Sequence, residues 1–383
     1  MPPRRPTAPG STASLRTANQ QRVLSLLRSG IDATHTQAEL ARLTGLAPAT
    51  ISNIVRQLVG AGLVEVESGS GRRGSAIRLS RGTGVVAGID FGHSHVAVAV
   101  GDLTGRLLGE VREPLDPSHS YDVALSTAST MLTQLADRHG DLQGVGLGVP
   151  APVASDHVRA AAIFPGWEGI DARAAAVAAL GLPVVVENDA NLGALAEHRQ
   201  GVAHGHDSSV FVKISSGVGA GIIIDNRIFH GASGTAGELG HLTFDEQGPL
   251  CRCGSRGCLE AYISVGNILE MTAGQLPEAG LDEVIAAARK GNVAAHRAFE
   301  DAGLHLGRGI AGVVNLLNPE VVVVGGDMAR AGELLLESTR IGLRRHALDA
   351  VATTPVLSSR LGERASLVGA VLLAAETVEL GID

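Results

Sequence analysis

Aromatic residues, lysine and cysteine are all scarce in this sequence. Phe, Trp and Tyr make up 2% of the 383 residues, so a core must be built mainly from Ala, Val, Leu and Ile. Lysine occurs only at Lys213 and Lys290, which leaves arginine to carry nearly all of the basic charge. No uninterrupted apolar run is long enough to cross a bilayer. These absences predict a soluble, cytoplasmic protein without a membrane partner, and the length allows two or three domains.

The three cysteines form one cluster. Cys251, Cys253 and Cys258 lie within eight residues, and His241 precedes them. Three thiolates and one imidazole are the ligands of a closed, tetrahedral zinc site. A disulfide fits less well, because one thiol would be left over and no secretory signal places the chain in an oxidising compartment. We therefore predict structural Zn²⁺ bound by these four residues, the alternative being two buried cysteines and one reactive thiol.

Charge is distributed unevenly along the chain. Residues 1–81 contain eleven arginines and four acidic residues, a net charge of +7, whereas the remainder contains twenty basic and thirty-five acidic residues. A basic N-terminal domain before an acidic one is the charge pattern expected of a nucleic-acid-binding protein.

The basic segment predicts three helices. Residues 1–14, rich in Pro, Ser and Thr, are expected to be a flexible arm, and residues 15–81 a folded domain. Thr36 and Glu39 have the spacing of a capping box that starts the second helix. The third helix is predicted over 49–59 and presents a polar face. A short helix, a glycine-containing turn and a polar-faced helix indicate a helix-turn-helix.

A hairpin with an arginine-containing tip follows the third helix. Alternating residues predict strands over 62–66 and 76–79, joined by the glycine-rich segment 69–74. Such a tip is typical of the wing of a winged helix, where arginines can enter a narrow minor groove. The predicted DNA-binding residues are Thr50, Ser52, Asn53, Arg56, Arg72 and Arg73. The alternative is a small three-helix interaction domain with solvated charges.

From Gly84 onward, apolar runs of strand length alternate with helical patterns. The predicted strands are 85–90, 96–100, 106–111, 144–149, 183–187, 209–214, 221–224 and 320–324. The first predicted helix of this part covers 121–138. The periodicity by itself indicates an α/β protein.

The cysteine segment also carries a family signature. A Glu-x-x-His pair precedes Cys-x-Cys-Gly-x-x-Gly-Cys-x-Glu, from Glu238 to Glu260. This pattern resembles the signature of the ROK family, named after repressors, open reading frames and sugar kinases. The resemblance implies a two-lobed, actin-like (ribonuclease H-like) sugar kinase fold behind the winged helix-turn-helix. Lobe 1 would span 82–200, completed by a C-terminal helix over 362–383, and lobe 2 would span 201–361 with the zinc site.

The resemblance further implies a sugar site between the lobes. Asn188 and Asp189 match the pair that binds the sugar in the family, where the aspartate is the catalytic general base of the kinases. On the residues alone, the pair is equally compatible with a helix N-cap. The other implied sugar-binding residues are Glu238, His241 and Glu260. One imidazole nitrogen of His241 would bind zinc while the other faces a hydroxyl.

The phosphate-binding pattern of the kinases is altered here. Where they carry Asp-x-Gly-Gly-Thr, this chain has His93 in place of the second glycine and Ser94 in place of the threonine. The residues that match nucleotide-binding positions are Asp90, Gly92, Gly217, Gly219, Gly325 and Gly326. Close packing of strands and helices explains such glycines equally well. ATP and Mg²⁺ are therefore expected only if the chain is a kinase.

Together these patterns predict a sugar-responsive, DNA-binding regulator, a repressor of carbohydrate metabolism genes. Its expected partners are operator DNA, a monosaccharide effector and further copies of itself in a dimer or tetramer. One alternative is an ATP-dependent hexose kinase, glucokinase-like, alone or with regulation. Another is a regulator that responds only to a protein partner, which the set of polar sugar-site residues disfavours.

Overall fold

The computed structural model contains a small N-terminal domain of helices and a hairpin, followed by two mixed sheets surrounded by helices. It describes residues 12–28, 34–67, 75–80, 82–159 and 164–378. Among these residues, no helix has both the length and the apolar character needed to cross a membrane. The α/β class predicted from the sequence is confirmed.

The N-terminal domain has the helix order predicted from the sequence. Its elements are α1 (Thr12–Leu27), α2 (Gln37–Thr44), α3 (Pro48–Gly60) and the antiparallel strands β1 (Val64–Glu67) and β2 (Ala76–Leu79). Thr36 and Glu39 form a capping box, in which each side chain accepts a hydrogen bond from the other's backbone N–H.

The predicted boundary of the flexible arm differs from the structure. Helix α1 begins at Thr12, before the predicted arm ends at residue 14. The rest of that arm, residues 1–11, lies outside the described residues, as does the hairpin tip with Arg72 and Arg73.

The first half of the large domain is built on a five-stranded sheet. Its elements are β3 (Val85–Phe91), β4 (His95–Asp102), β5 (Leu107–Pro114), α4 (Tyr121–Ala136), β6 (Leu142–Val149), β7 (Val153–Ala154), β8 (His157–Val158), α5 (Ala172–Leu180) and β9 (Val184–Asn188). The strand order is β5-β4-β3-β6-β9, and β3, β6 and β9 are parallel. The carboxyl ends of these three strands therefore meet at one edge of the sheet, where ligands bind in open α/β folds.

The second half contains another five-stranded sheet. Its elements, with the C-terminal helix, are α6 (Asp189–Gln200), β10 (Ser209–Ile214), β11 (Val218–Ile224), β12 (Arg227–Ile228), α7 (Glu260–Ile263), α8 (Val265–Thr272), α9 (Leu281–Arg289), α10 (Val293–Leu317), β13 (Val321–Gly325), α11 (Glu333–His346), β14 (Val356–Ser358) and α12 (Ala365–Thr377). The strand order is β12-β11-β10-β13-β14. Short 3₁₀ turns include Leu239–His241, Asp327–Ala331 and Gly362–Arg364.

Helix α12 joins three parts of the molecule. It packs on the first sheet, where glycines let the backbones approach closely: an added Cβ at Gly146 would collide with the carbonyl of Ala370. Gly369 has the same function toward α6, because a Cβ there would meet the carbonyl oxygen of Leu192. At the other end, the buried guanidinium of Arg28, just after α1, donates to the carbonyl oxygens of Glu376 and Val378 at 3.4 and 3.1 Å.

The structure thus gives the predicted C-terminal helix as a 3₁₀ turn followed by α12, while residues 379–383 lie outside the described part. The hydrophobic core of the N-terminal domain continues into the contact with α12 and the outer face of the first sheet, through side chains such as Leu27, Val86 and Val371. The small domain is therefore packed against the large one rather than only tethered to it.

Candidate functional site

A cavity of about 170 Å³ lies between the two sheets. Most of the residues predicted from the sequence as sugar- or nucleotide-binding line it: Asp90, Gly92, Asn188, Asp189, Gly217, Gly219, Glu238, His241, Glu260 and Gly326. Gly325 is not among the lining residues, and a Cβ there would collide with the ring of Phe211. Three basic side chains to which sequence reasoning assigned no role also line the cavity, namely Arg112, Lys213 and Arg252.

Asp189, the first residue of α6, forms a buried ion pair. The Lys213 ammonium donates to Asp189 Oδ2 at 2.6 Å and to Ser366 Oγ at 3.0 Å, and Ser366 Oγ donates to the Asp189 carbonyl oxygen at 2.8 Å. Burial raises the pKa of the Asp189 carboxyl, and the lysine opposes that shift. Burial also disfavours a charged lysine, but the carboxylates of Asp189 and Asp90 outweigh it and raise the pKa of Lys213.

Asn188 caps helix α6. Its Oδ1 accepts from the backbone N–H groups of Ala190 and Asn191 at 2.9 and 3.2 Å, and its Nδ2 donates to the Ala151 carbonyl oxygen at 3.2 Å. The N-cap interpretation of this asparagine therefore describes its contacts well. The cap also places the neighbouring Asp189 in the wall of the cavity.

Glu187 and His230 stabilise the first residues of α6 through hydrogen bonds. Glu187 Oε1 accepts from the Asn188 N–H at 2.8 Å and from Asn191 Nδ2 at 2.9 Å, while Oε2 lies 2.7 Å from His230 Nε2. The hydrogen bond to Glu187 raises the pKa of His230. Sequence reasoning missed this support, because the histidine is 43 residues away and belongs to no motif.

The histidine and cysteines form a cluster that can bind a metal. The ligand atoms of His241, Cys251, Cys253 and Cys258 all lie within 4.8 Å of one another. The Cys253 and Cys258 sulfurs are 3.8 Å apart, and Cys251 Sγ is 3.7 Å from His241 Nδ1. A tetrahedral zinc ion with Zn–S bonds of about 2.3 Å would hold its sulfurs about 3.8 Å apart. The donor set and spacing therefore fit that ion.

His241 faces two ways. Its Nδ1 is directed at Cys251, whereas its Nε2 lies 3.7 Å from Glu238 Oε2 beside the cavity. The 3₁₀ turn that ends at His241 places both residues of this pair on the same side of the cavity.

Glu260 is held by other protein groups. Its Oε2 accepts from the Val218 N–H at 2.9 Å, and its Oε1 accepts from Arg252 Nε at 2.7 Å. Arg252 also donates to the Ser216 carbonyl oxygen. Glu260 therefore positions an arginine at the cavity wall, a contact that the Cys-x-Cys spacing did not reveal.

The opposite end of the cavity holds Asp90 with two histidines nearby. Asp90 is 2% exposed, its Oδ1 has no hydrogen-bond partner in the part of the chain that the structure describes, and its Oδ2 lies 4.0 Å from His95 Nε2. Burial, with Arg112 adding to it, lowers the pKa of His95 to about 4, so this ring is neutral at pH 7. His93 occupies the position where the kinase pattern has glycine, and it lines the cavity.

The polar face of α3 is directed away from its buried side. Asn53 and Arg56 are exposed, Thr50 and Ser52 are half-buried, and Arg56 Nη1 donates weakly to Asn53 Oδ1 at 3.4 Å. The buried side consists of Ile51, Ile54, Val55 and Leu58. The face can therefore contact a ligand without unfolding the domain.

Two protein-family models match the chain, one over each of its domains. The model of the ROK family matches residues 86–377, and the model of the MarR family matches residues 16–74. A xylose repressor of Bacillus subtilis is 29% identical over 341 residues, which cover 87% of this chain and 89% of the repressor.

Two solved structures represent the two kinds of relative, transcriptional regulators and sugar kinases. A ROK family transcriptional regulator, described as a homologue of the Escherichia coli MLC protein, is 26% identical with a TM-score of 0.79, and the match covers 95% of this chain and 96% of the regulator. A ROK family glucokinase of Streptomyces griseus, in complex with glucose and AMPPNP, is 30% identical with a TM-score of 0.70. That match covers 99% of the kinase and 76% of this chain. The large domain thus has the actin-like sugar kinase fold, the N-terminal domain is a winged helix-turn-helix, and the chain belongs to the ROK family.

Proposed function

We propose that this chain is a sugar-responsive, DNA-binding transcriptional repressor of carbohydrate metabolism genes. The observation that carries the proposal is the presence, in one chain, of a winged helix-turn-helix and a polar cavity of kinase type joined through α12. The similarity to a xylose repressor over nearly the whole length supports it. A monosaccharide effector would favour one arrangement of the domains, and operator affinity would change by that difference in binding free energy.

The sugar binds in the cavity through polar groups on both of its sides. The carboxylates of Asp189 and Glu238 border the space and can accept hydrogen bonds from hydroxyl groups, and the Nε2–H of His241 can donate one. Asn188 and Glu260 act through position, because their side chains are already bonded to the protein.

Zn²⁺ bound by His241, Cys251, Cys253 and Cys258 is structural in this proposal. A filled set of four protein ligands leaves no position for a reacting water. The ion would order the loop and fix the imidazole of His241, whose other nitrogen then faces the sugar.

The DNA-binding domain comprises residues 15–81, with lobe 1 over 82–200 and 362–383 and lobe 2 over 201–361. Helix α3 enters the major groove with Asn53 and Arg56, which are exposed, together with Thr50 and Ser52. Arg72 and Arg73 of the hairpin tip would contact the minor groove. A dimer would bind two half-sites about one helical turn, or a multiple of it, apart.

The test measures operator affinity of the full chain by fluorescence anisotropy, using DNA fragments from the promoter regions around its own gene, with and without D-xylose or D-glucose. We expect specific binding that one monosaccharide weakens. Arg56→Ala should reduce the sequence preference, whereas Arg297→Ala, at an exposed arginine of α10, should not. Failure of every fragment to bind, or binding that depends on Arg297 as much as on Arg56, would refute the assignment.

The second candidate is an ATP-dependent hexose kinase, favoured by the similarity to a ROK glucokinase and by Asp189 at the position of the general base. The altered phosphate-binding pattern argues against it, because His93 lines the cavity at the position where the kinase pattern has a glycine. A coupled assay with D-glucose and D-xylose decides: turnover above about 1 per second, the low end for kinases, would make the enzyme the primary function.

A further inference from the structure

The sequence contains only two lysines, and one of them, Lys213, lines the cavity. Its side chain is 16% exposed, and its ammonium is bonded to Asp189 Oδ2 and Ser366 Oγ. A buried ammonium is costly unless carboxylates compensate it. The compensation here comes from Asp189 directly and from Asp90 through space.

The backbone position of Lys213 is equally specific. On β10 it pairs with Gly219 of β11 on one side and with Gly325 of β13 on the other. Both neighbours belong to the glycine-rich segments that would approach phosphates in a kinase. Lys213 is therefore the only one of these three paired positions that carries a side chain, and it lines the cavity.

Asp90 is only partly paired. Among the residues that the structure describes, none donates a hydrogen bond to its Oδ1, and His95, whose Nε2 lies 4.0 Å from its Oδ2, is uncharged because burial lowers its pKa. Burial raises the pKa of the Asp90 carboxyl, and the positive charges of Lys213 and Arg112 oppose that shift. The ammonium of Lys213 is the cation that the chain itself supplies to Asp90 and Asp189.

We propose that Lys213 is a built-in counter-ion that takes the place of a nucleotide-bound divalent cation, so that the protein binds its sugar without ATP or metal in the cavity. This inference rests on the proposed function and specifies how its sensor operates. Asp189 then acts as a fixed hydrogen-bond acceptor for the sugar, and Lys213 as the residue that positions it through the bond at 2.6 Å.

The first experiment uses the unaltered protein. Titration calorimetry measures the affinity for D-xylose and D-glucose without nucleotide, and then with Mg²⁺ and ATP. For a sugar that binds, we expect the same affinity in both conditions. An affinity that requires Mg²⁺-ATP would overturn the inference, while the operator measurements would still report on the proposed function independently.

The second experiment tests the cation. Electron paramagnetic resonance counts bound Mn²⁺ in the native protein, in Lys213→Met and in Lys290→Met, the matched control at the exposed lysine after α9. Lys213→Met should gain one Mn²⁺ per chain over the native protein, because carboxylates bind this ion well once the ammonium is gone. Adding Asp189→Asn to that variant should remove the gained ion.

Sugar affinity gives the readout that a purely structural ion pair would not move. In Lys213→Met it should fall about tenfold or more, the usual loss for a hydrogen bond to a charged group, and Mn²⁺ should restore part of it. Lys213→Arg should retain affinity without metal. No additional Mn²⁺ in Lys213→Met, or a native protein that already binds it in the cavity, would refute the proposal. Should Lys213→Met fail to fold, the native titration decides.

Discussion

The polar and charged groups at the two ends of the cavity are held in different ways. At the zinc end, named after the proposed ion and defined as Glu238, His241, the three cysteines and Glu260, most polar partners are close in the sequence, and Glu260 also accepts from the Val218 N–H. At the phosphate end, comprising Asp90, His93, His95 and Lys213, the ammonium of Lys213 is compensated by the carboxylates of Asp189 and Asp90, which belong to other elements. The first arrangement prepares a surface for recognition. The second fills with protein charge the region in which a kinase would receive phosphates.

The largest effect should come from the zinc end. Cys258→Ala removes a buried residue of the proposed zinc site, and structural zinc sites in small peptides contribute about 10 kcal/mol or more to folding. We expect loss of the metal in elemental analysis, a lower melting temperature and no response to sugar, with operator binding retained. Ser255→Ala in the same loop is the control. A sugar response that survives in metal-free protein would remove the distinction between the two ends.

Asp189→Asn should have the next largest effect, because it lies between the ends. The amide is a weaker acceptor than the carboxylate and leaves the buried Lys213 ammonium without its ion-pair partner. Sugar affinity should fall about hundredfold, equivalent to about 3 kcal/mol. Titration calorimetry with Asp282→Asn, at an exposed aspartate of α9, as the control would measure it. Equal affinities in the two variants would exclude Asp189 from the site.

Lowering the pH should destabilise the protein through His95 at the phosphate end. The folded pKa of about 4 lies below the ordinary value of 6.5, so between these values the unfolded chain binds more protons and stability falls as pH is lowered. The loss attributable to this ring between pH 8 and pH 5 is about 2 kcal/mol. In His95→Asn, the free energy of unfolding, measured by chemical denaturation at a series of pH values, should decline less over this pH range by about that amount. An unchanged pH profile would mean that the ring is not buried as described.

The smallest effect is expected for His93→Gly. This variant restores the second glycine of the kinase pattern that begins at Asp90, although Ser94 remains in place of the threonine and Lys213 still occupies the phosphate end. Sugar affinity should remain within about twofold, as for most substitutions outside the buried contacts, and ATP consumption should not appear. Sugar-dependent turnover in this variant would show that the histidine, rather than the lysine, is what separates this chain from a kinase.

Local patterns allowed much of this structure to be predicted. Long strands such as β3, β4, β10 and β13 are apolar runs, and the capping box of α2 is set by residues three positions apart, so both could be recognised in the sequence. The cysteine cluster was recognisable for the same reason, since three of its four members lie within eight residues.

The contacts that define the phosphate end could not be found in this way. Lys213 meets Asp189 across 24 residues and Ser366 across 153, and nothing in the sequence near the lysine indicates either partner. Arg252 was hidden for another reason. It stands at the variable position of Cys-x-Cys, where the pattern directs attention to the metal ligands rather than to its bond with Glu260.

Helix α12 behaves, in mechanical terms, as a beam clamped at both ends. One end is fixed to the Asp189 carbonyl through Ser366, the other to the winged-helix domain through Arg28, and the middle lies against the backbone of α6 at Gly369. With 13 residues at 1.5 Å each, the beam is about 20 Å long. In the proposed sensor, a shift of the Asp189 backbone on sugar binding would act directly on the first turn of α12, the helix that also contacts the DNA-binding domain.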